Sequence, residues 1–128
     1  MRLKNTLRLA FISLILLFPQ LSRADYAQVN GIQLYYEIHG SGTPLVILHG
    51  GYVDSDMWRL VTTLLSQHFQ VIEIDSRGHG RSTDAPVAIT YELMTRDTLA
   101  LLDQLNIDNA YFVGWSDGAV IAAQVAAF

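Results

Sequence analysis

The sequence predicts an α/β fold, a mostly parallel sheet with helices on both faces, and three observations carry that prediction. Short β-type runs alternate along the chain with stretches of helical period, which is the order that builds a sheet layered between helices. Two of the runs, "PLVIL" and "VIEI", are continuously apolar or nearly so where a one-sided strand would alternate, as suits strands covered on both faces. Glycines stand where those runs end, which is where such sheets turn the chain into loops and helices.

Arg2, Lys4 and Arg8 precede the apolar stretch Leu9 to Phe18, followed by Pro19 and by Ser22 and Ala24 in small-x-small order. This reads as a secretory signal peptide over residues 1–24. Its apolar core is about half the roughly 20 residues that a spanning helix needs, so no stable membrane anchor is expected after cleavage, and the localisation expected is export, to a periplasm or the medium. From Asp25 onward, "DYAQVNGIQLYYEIHGSG" holds two strands joined at Asn30-Gly31, a pair suited to the positive φ values of a tight hairpin turn. "PLVILHGG" is the next strand. Asp54, Ser55 and Asp56 are capping candidates for a helix in which Met57, Leu60, Val61, Leu64 and Leu65 form an apolar stripe. "FQVIEID" is a further strand, and a loop with Gly78, Gly80 and Pro86 leads to Thr90, which opens a helix with Met94, Leu101, Leu102 and Leu105 on one face. Asn106 closes that helix in a left-handed cap. "AYFVGW" is the last strand, and "DGAVIAAQVAAF" a helix of small residues.

Composition narrows the function. At 128 residues the chain is one domain at most, and 51% hydrophobic content suffices for a core. It has no cysteine, which removes disulfides, thiolate nucleophiles and cysteine metal sites. Four of its 8 basic residues, Arg2, Lys4, Arg8 and Arg23, lie in the signal segment; the remainder keeps 4 basic against all 12 acidic residues, a net −8. Nucleic acid is therefore not expected as a partner.

Chemistry concentrates at "VGWSDGAV", residues 113–120, where Ser116 sits between Gly114 and Gly118 after an apolar strand and before a helix. A serine hydroxyl becomes a useful nucleophile when it is held exposed, near a base and near donors for the oxyanion it creates. A sharp strand-to-helix turn does the holding, and it requires small residues at Gly114 and Gly118. The amide of Asp117 at the helix start points at the same spot, and the "HGGY" turn, His49 to Tyr52, supplies a second donor from the amide of Gly51 or Tyr52. His49 itself reads as a brace for the loop. Trp115 and Tyr52 suit either pocket lining or packing. Asp75, His79 and Asp84 offer no second histidine at ligand spacing, so no metal site is expected there.

Taken together, the His49-Gly50-Gly51 loop, "DSRGHGRS" from Asp75 to Ser82, and the "GWSDG" turn resemble the motifs of the α/β-hydrolase family, in its order and spacing, from about Tyr26 to Phe128. The resemblance is to the first half of that fold, so residues 25–128 are read as the amino-terminal part of an incomplete domain. It implies that Asp75, Arg77 and His79 are network residues of a structural loop. Relatives that open epoxides or remove halide carry aspartate at the central turn position, whereas serine here implies acyl transfer, with a small-molecule ester, amide or related acyl substrate and no cofactor. Family members take their acid and histidine after the serine in sequence. All four histidines here, His39, His49, His68 and His79, precede Ser116. Two readings remain: a serine hydrolase whose remaining triad members lie outside these 128 residues, or an inactive remnant or binding module of the same fold. The family's strand order also makes "AYFVGW" a central strand, so a chain ending at Phe128 is expected to aggregate or self-associate through it.

Overall fold

The structure, a computed structural model, describes residues 22–127. The proposed signal segment lies outside them, except for Ser22 and the two residues that open the first strand. Five strands form one sheet: β1 (Arg23–Val29), β2 (Ile32–His39), β3 (Thr43–Leu48), β4 (Phe69–Ile74) and β5 (Tyr111–Gly114), in the spatial order β1-β2-β4-β3-β5. Three α-helices accompany them: α1 (Arg59–Leu65), preceded by a 3₁₀ turn at Ser55–Trp58, α2 (Tyr91–Gln104) and α3 (Asp117–Val125).

The sheet is mixed, which corrects the expectation of a mostly parallel one. β1–β2 and β2–β4 are antiparallel; β4–β3 and β3–β5 are parallel. Connection length is the reason. Parallel neighbours need a crossover of a dozen or more residues, and the link from β1 to β2 (Asn30-Gly31) is far too short for one; the three-residue turn Gly40 to Gly42 likewise reverses the chain, so β3, and β4 parallel to it, run opposite to β2. The first link is the expected hairpin turn, with φ of 41° at Asn30 and 81° at Gly31.

Helices cover both faces. On one, α2 and α3 close over Leu34, Tyr36, Val46, Leu48, Ile72 and Ile74. α2 starts as expected at Thr90, whose Oγ1 accepts from the Leu93 amide at 3.1 Å, and buries Met94, Leu101 and Leu102. It ends at Asn106, with φ of 55°, where the amides of Asn106 and Ile107 donate back to Asp103 and Leu102, a double bond-back that satisfies the last carbonyls.

On the other face, α1 meets Leu45, Ile47 and Val71 through Trp58 and Leu65. Here the sequence reading needs a second correction: Met57, Leu60, Val61 and Leu64 face away from the sheet, Leu60 most of all at 82% exposure. Asp54 caps as expected, accepting from the Asp56 amide at 3.1 Å. The helix it opens begins as a 3₁₀ turn, however, whose three-residue period shifts the phase of the α-helical turns behind it. Trp58, Thr62 and Leu65 become the inward residues. Among the described residues no helix is long and apolar enough to cross a membrane.

Candidate active site

Two residues, Trp115 and Ser116, separate the end of β5 from the start of α3. So abrupt a reversal forces Ser116 to φ 53° and ψ −117°, a conformation that L-residues rarely adopt. The turn is tied down on both sides: the Trp115 amide donates to Leu48 O at 3.2 Å, and Ala119 donates to Ser116 O at 2.9 Å. Ser116 is exposed, and its hydroxyl caps nothing in the helix behind it. Strain held beside a free hydroxyl leads to a stability prediction. Ser116→Gly should stabilise the chain by about 1 kcal/mol, since glycine reaches positive φ without the Cβ penalty; urea unfolding of both proteins measures it, and a glycine variant less stable than the parent refutes it.

Both flanking glycines are required by contact. A Cβ on Gly114 would stand 2.2 Å from Gly118 O, and one on Gly118 would stand 2.3 Å from Leu48 O. α3 thus lies directly against the β3 backbone.

The "HGGY" loop comes to the same place. A Cβ on Gly50 would meet the Trp115 ring at 2.6 Å and Ser116 Cβ at 3.2 Å, and one on Gly51 would meet Asp117 Oδ2 at 2.5 Å. Tyr52 takes φ 61° and is fully exposed. Among the described residues the amides of Gly51 and Tyr52 donate to no backbone or side-chain group, and Asp117, as the first residue of α3, has no intrahelical acceptor. The structure therefore sets Gly50 against Ser116, and Gly51 against the side chain of Asp117. Tyr91, which the sequence reading missed, also reaches this edge and donates from its hydroxyl to Asp117 Oδ1 at 2.7 Å.

The described histidines are elsewhere or engaged. His49 is buried, its Nδ1–H donating to Gly50 O at 2.6 Å and its Nε2 accepting from the Ser76 amide at 2.9 Å. Both nitrogens are used, and the tautomer is set by the carbonyl. His79 Nδ1 donates to Arg77 O at 2.9 Å, and its ring lies 5.2 Å from that of His49. His68 is exposed after α1, and His39 ends β2.

Behind the loop lies a charge network. Asp75, fully buried, accepts from the amide and hydroxyl of Ser55 at 2.9 and 2.6 Å and from Arg81 N and Nε at 2.9 and 2.8 Å. Burial alone would raise its pKa; the hydrogen bonds from Arg81 and Ser55 outweigh it and hold the carboxyl down at about 2. Arg77, also fully buried, forks onto Asp97 at 2.6 and 2.8 Å. Arg81 and Asp97 escaped the sequence reading because their partnership depends on tertiary placement.

Acid sensitivity follows from two of these groups. Asp75 is depressed in the folded state, so its stabilisation is complete above the unfolded value near 4 and disappears as pH falls toward about 2. Burial likewise lowers the pKa of His49, so its neutral form favours folding above about 6.5, and that contribution declines as pH drops below it. Unfolding free energy should therefore fall in two stages on acidification, the Asp75 stage worth about 2 kcal/mol. Urea titrations from pH 7.5 to 2 would display it; a flat profile would rule it out.

The α/β-hydrolase-fold family model matches residues 43–128, and the chain belongs to that family. It is 40% identical over 99 residues to a protein of Mycobacterium phage D29 that bears the name of a non-heme haloperoxidase, covering 77% of this chain and 36% of that one. It is 36% identical over 100 residues to an sn-1-specific diacylglycerol lipase of Danio rerio, covering 74% and 31%. Among solved structures it is similar to Est816, an N-acyl homoserine lactone degrading enzyme, at 37% identity and TM-score 0.75, covering 78% and 39%. The chain thus spans between 31% and 39% of the length of these relatives.

Proposed function

We propose that Ser116 is the nucleophile of a serine hydrolase that acts on an ester, amide or related acyl bond. One observation carries the reading: an exposed serine held at positive φ on a two-residue strand-to-helix turn, abutting a glycine loop whose amides have no other acceptor. In this reading the Ser116 oxygen attacks the acyl carbon and its proton passes to a base. The amides of Asp117 and of Gly51 or Tyr52 receive the developing oxyanion. The leaving group departs with a proton, and water then releases the acyl group from the serine. An alkoxide oxygen suits attack at an acyl carbon, and relatives named as a lipase and as a lactone-degrading enzyme act on such bonds.

None of the described histidines is offered to Ser116, so the reading assigns the triad's acid and histidine outside these 128 residues. Export is part of the same proposal. Cleavage after Ala24 would remove Arg23 and Ala24 from their pairing with Ile38 and Glu37 and leave the rest of the hairpin intact.

The test is a fluorophosphonate probe applied to the protein as its gene encodes it, with the labelled peptide mapped by mass spectrometry. Rapid labelling at Ser116, abolished by heat denaturation, supports the hydrolase. No labelling of that folded protein would replace it with the inactive remnant or binding module.

A further inference from the structure

Away from the Ser116 turn, on the sheet face covered by α1, three ligand-type side chains converge. The antiparallel register sets Glu37 on β2 directly opposite Glu73 on β4, and His39, two residues along β2, projects from the same face. Two carboxylates directly opposed across a ladder repel each other, and Glu73 is largely buried, so little water screens the pair.

The atoms are arranged around a common point. His39 Nε2 stands 3.1 Å from Glu37 Oε2 and 3.6 Å from Glu73 Oε2, and one ligand atom from each residue lies within 4.8 Å of the other two. Ligands bound to zinc at about 2.0–2.1 Å and tetrahedral angles stand about 3.4 Å apart. The outer atoms are already oriented: Tyr35 donates its hydroxyl to Glu37 Oε1 at 2.6 Å, and the Thr62 hydroxyl donates to Glu73 Oε1. Such partners aim carboxylates at a metal. His39 Nε2 is fully buried and makes no hydrogen bond, although two carboxylate oxygens lie within 4 Å of it. Two anionic carboxylates facing one unpartnered imidazole nitrogen favour a cation at this point.

From this geometry we infer that Glu37, His39 and Glu73 bind one divalent transition-metal ion, zinc in preference to magnesium or calcium. The imidazole sets that preference, because the harder ions take oxygen ligands alone. A cleft of about 630 Å³, lined also by Asp56, Arg59, Thr62 and Arg81, gives the ion a way in and leaves a coordination position for water. Arg81, 3.5 Å from Glu37 Oε1, offsets part of the negative charge, whereas His39 Nε2 approaches the other oxygen, Oε2. The ion would clamp β2 to β4. The sequence reading expected no metal, and it had no means to see this site, because strand register alone joins residues 37 and 39 to residue 73.

The test uses the full chain, stripped with a chelator and checked for folding by circular dichroism, then titrated with zinc against a chromophoric competitor. One equivalent should bind, magnesium should not compete, and His39→Gln and Glu73→Gln should each weaken binding by about 100-fold or more. Cobalt(II) added to the unmutated protein should give visible absorption bands of a low-coordinate site with nitrogen and oxygen ligands, a readout that holds even where a variant fails to fold. Absence of zinc binding by the folded chain would overturn the inference, as would undiminished affinity in folded His39→Gln. So would a nitrogen-15 spectrum in which His39 is an imidazolium indifferent to added zinc.

Discussion

In the protein as its gene encodes it, Ser116→Ala should lower turnover of an activated ester by about 10⁴- to 10⁶-fold, the loss typical when a triad nucleophile is removed. Structure should be spared, since the Ser116 hydroxyl caps nothing in α3 and the alanine side chain keeps the Cβ that Gly50 accommodates. The variant should therefore give an unchanged circular-dichroism spectrum and a urea midpoint close to the parent's. That combination separates chemistry from folding. Gly118→Ala, by contrast, places a methyl 2.3 Å from Leu48 O and should lose activity together with stability. If Ser116→Ala retains more than a tenth of the parent's turnover, the nucleophile is another residue.

The second large effect concerns the buried ion pair. Asp97→Ala should destabilise the chain by about 3–5 kcal/mol, because it strands a guanidinium that has no exposure to water. Arg77 has little to fall back on: its remaining contact is a 3.4 Å bond to Asn30 O, and Nη1 already lacks a partner. Against a total stability of about 5–15 kcal/mol for a domain, such a loss brings the protein near unfolding at 37 °C. Removing both charges with Arg77→Met and Asp97→Leu should recover much of it, since apolar replacements of a buried pair are often close to neutral. Urea unfolding of the single and double variants decides; an Asp97→Ala cost below about 1 kcal/mol would mean that water reaches Arg77.

Local signals in the sequence were read well where one short stretch determines the outcome. Asn30-Gly31 specifies its turn, Thr90 and Asn106 mark the ends of α2, and the glycines around Ser116 announce a close approach that the contacts at Gly114 and Gly118 bear out. The fold class was legible too, apart from strand direction, for which the two- and three-residue links beside β2 were the available signal. Periodicity showed that Met57, in the 3₁₀ turn, shares a side with Leu60, Val61 and Leu64 of α1 but not that this side faces outward. Partnerships across the fold, such as Arg77 with Asp97 or Glu37 with Glu73, arise from packing and register, and no single window contains them.

The mixed ladder also sets an order of assembly. The β1–β2 hairpin, closed by two residues, can form within about 1–10 μs. The β3–β5 pairing, which joins Leu45 to Tyr111 and Leu48 to Gly114, must wait until the whole intervening chain has been gathered in, at a loop-closure cost incurred before any contact repays it. Ser116 belongs to that last closure. During synthesis and refolding, the Ser116 turn is thus expected to mature late, after the hairpin at the other end of the sheet is in place.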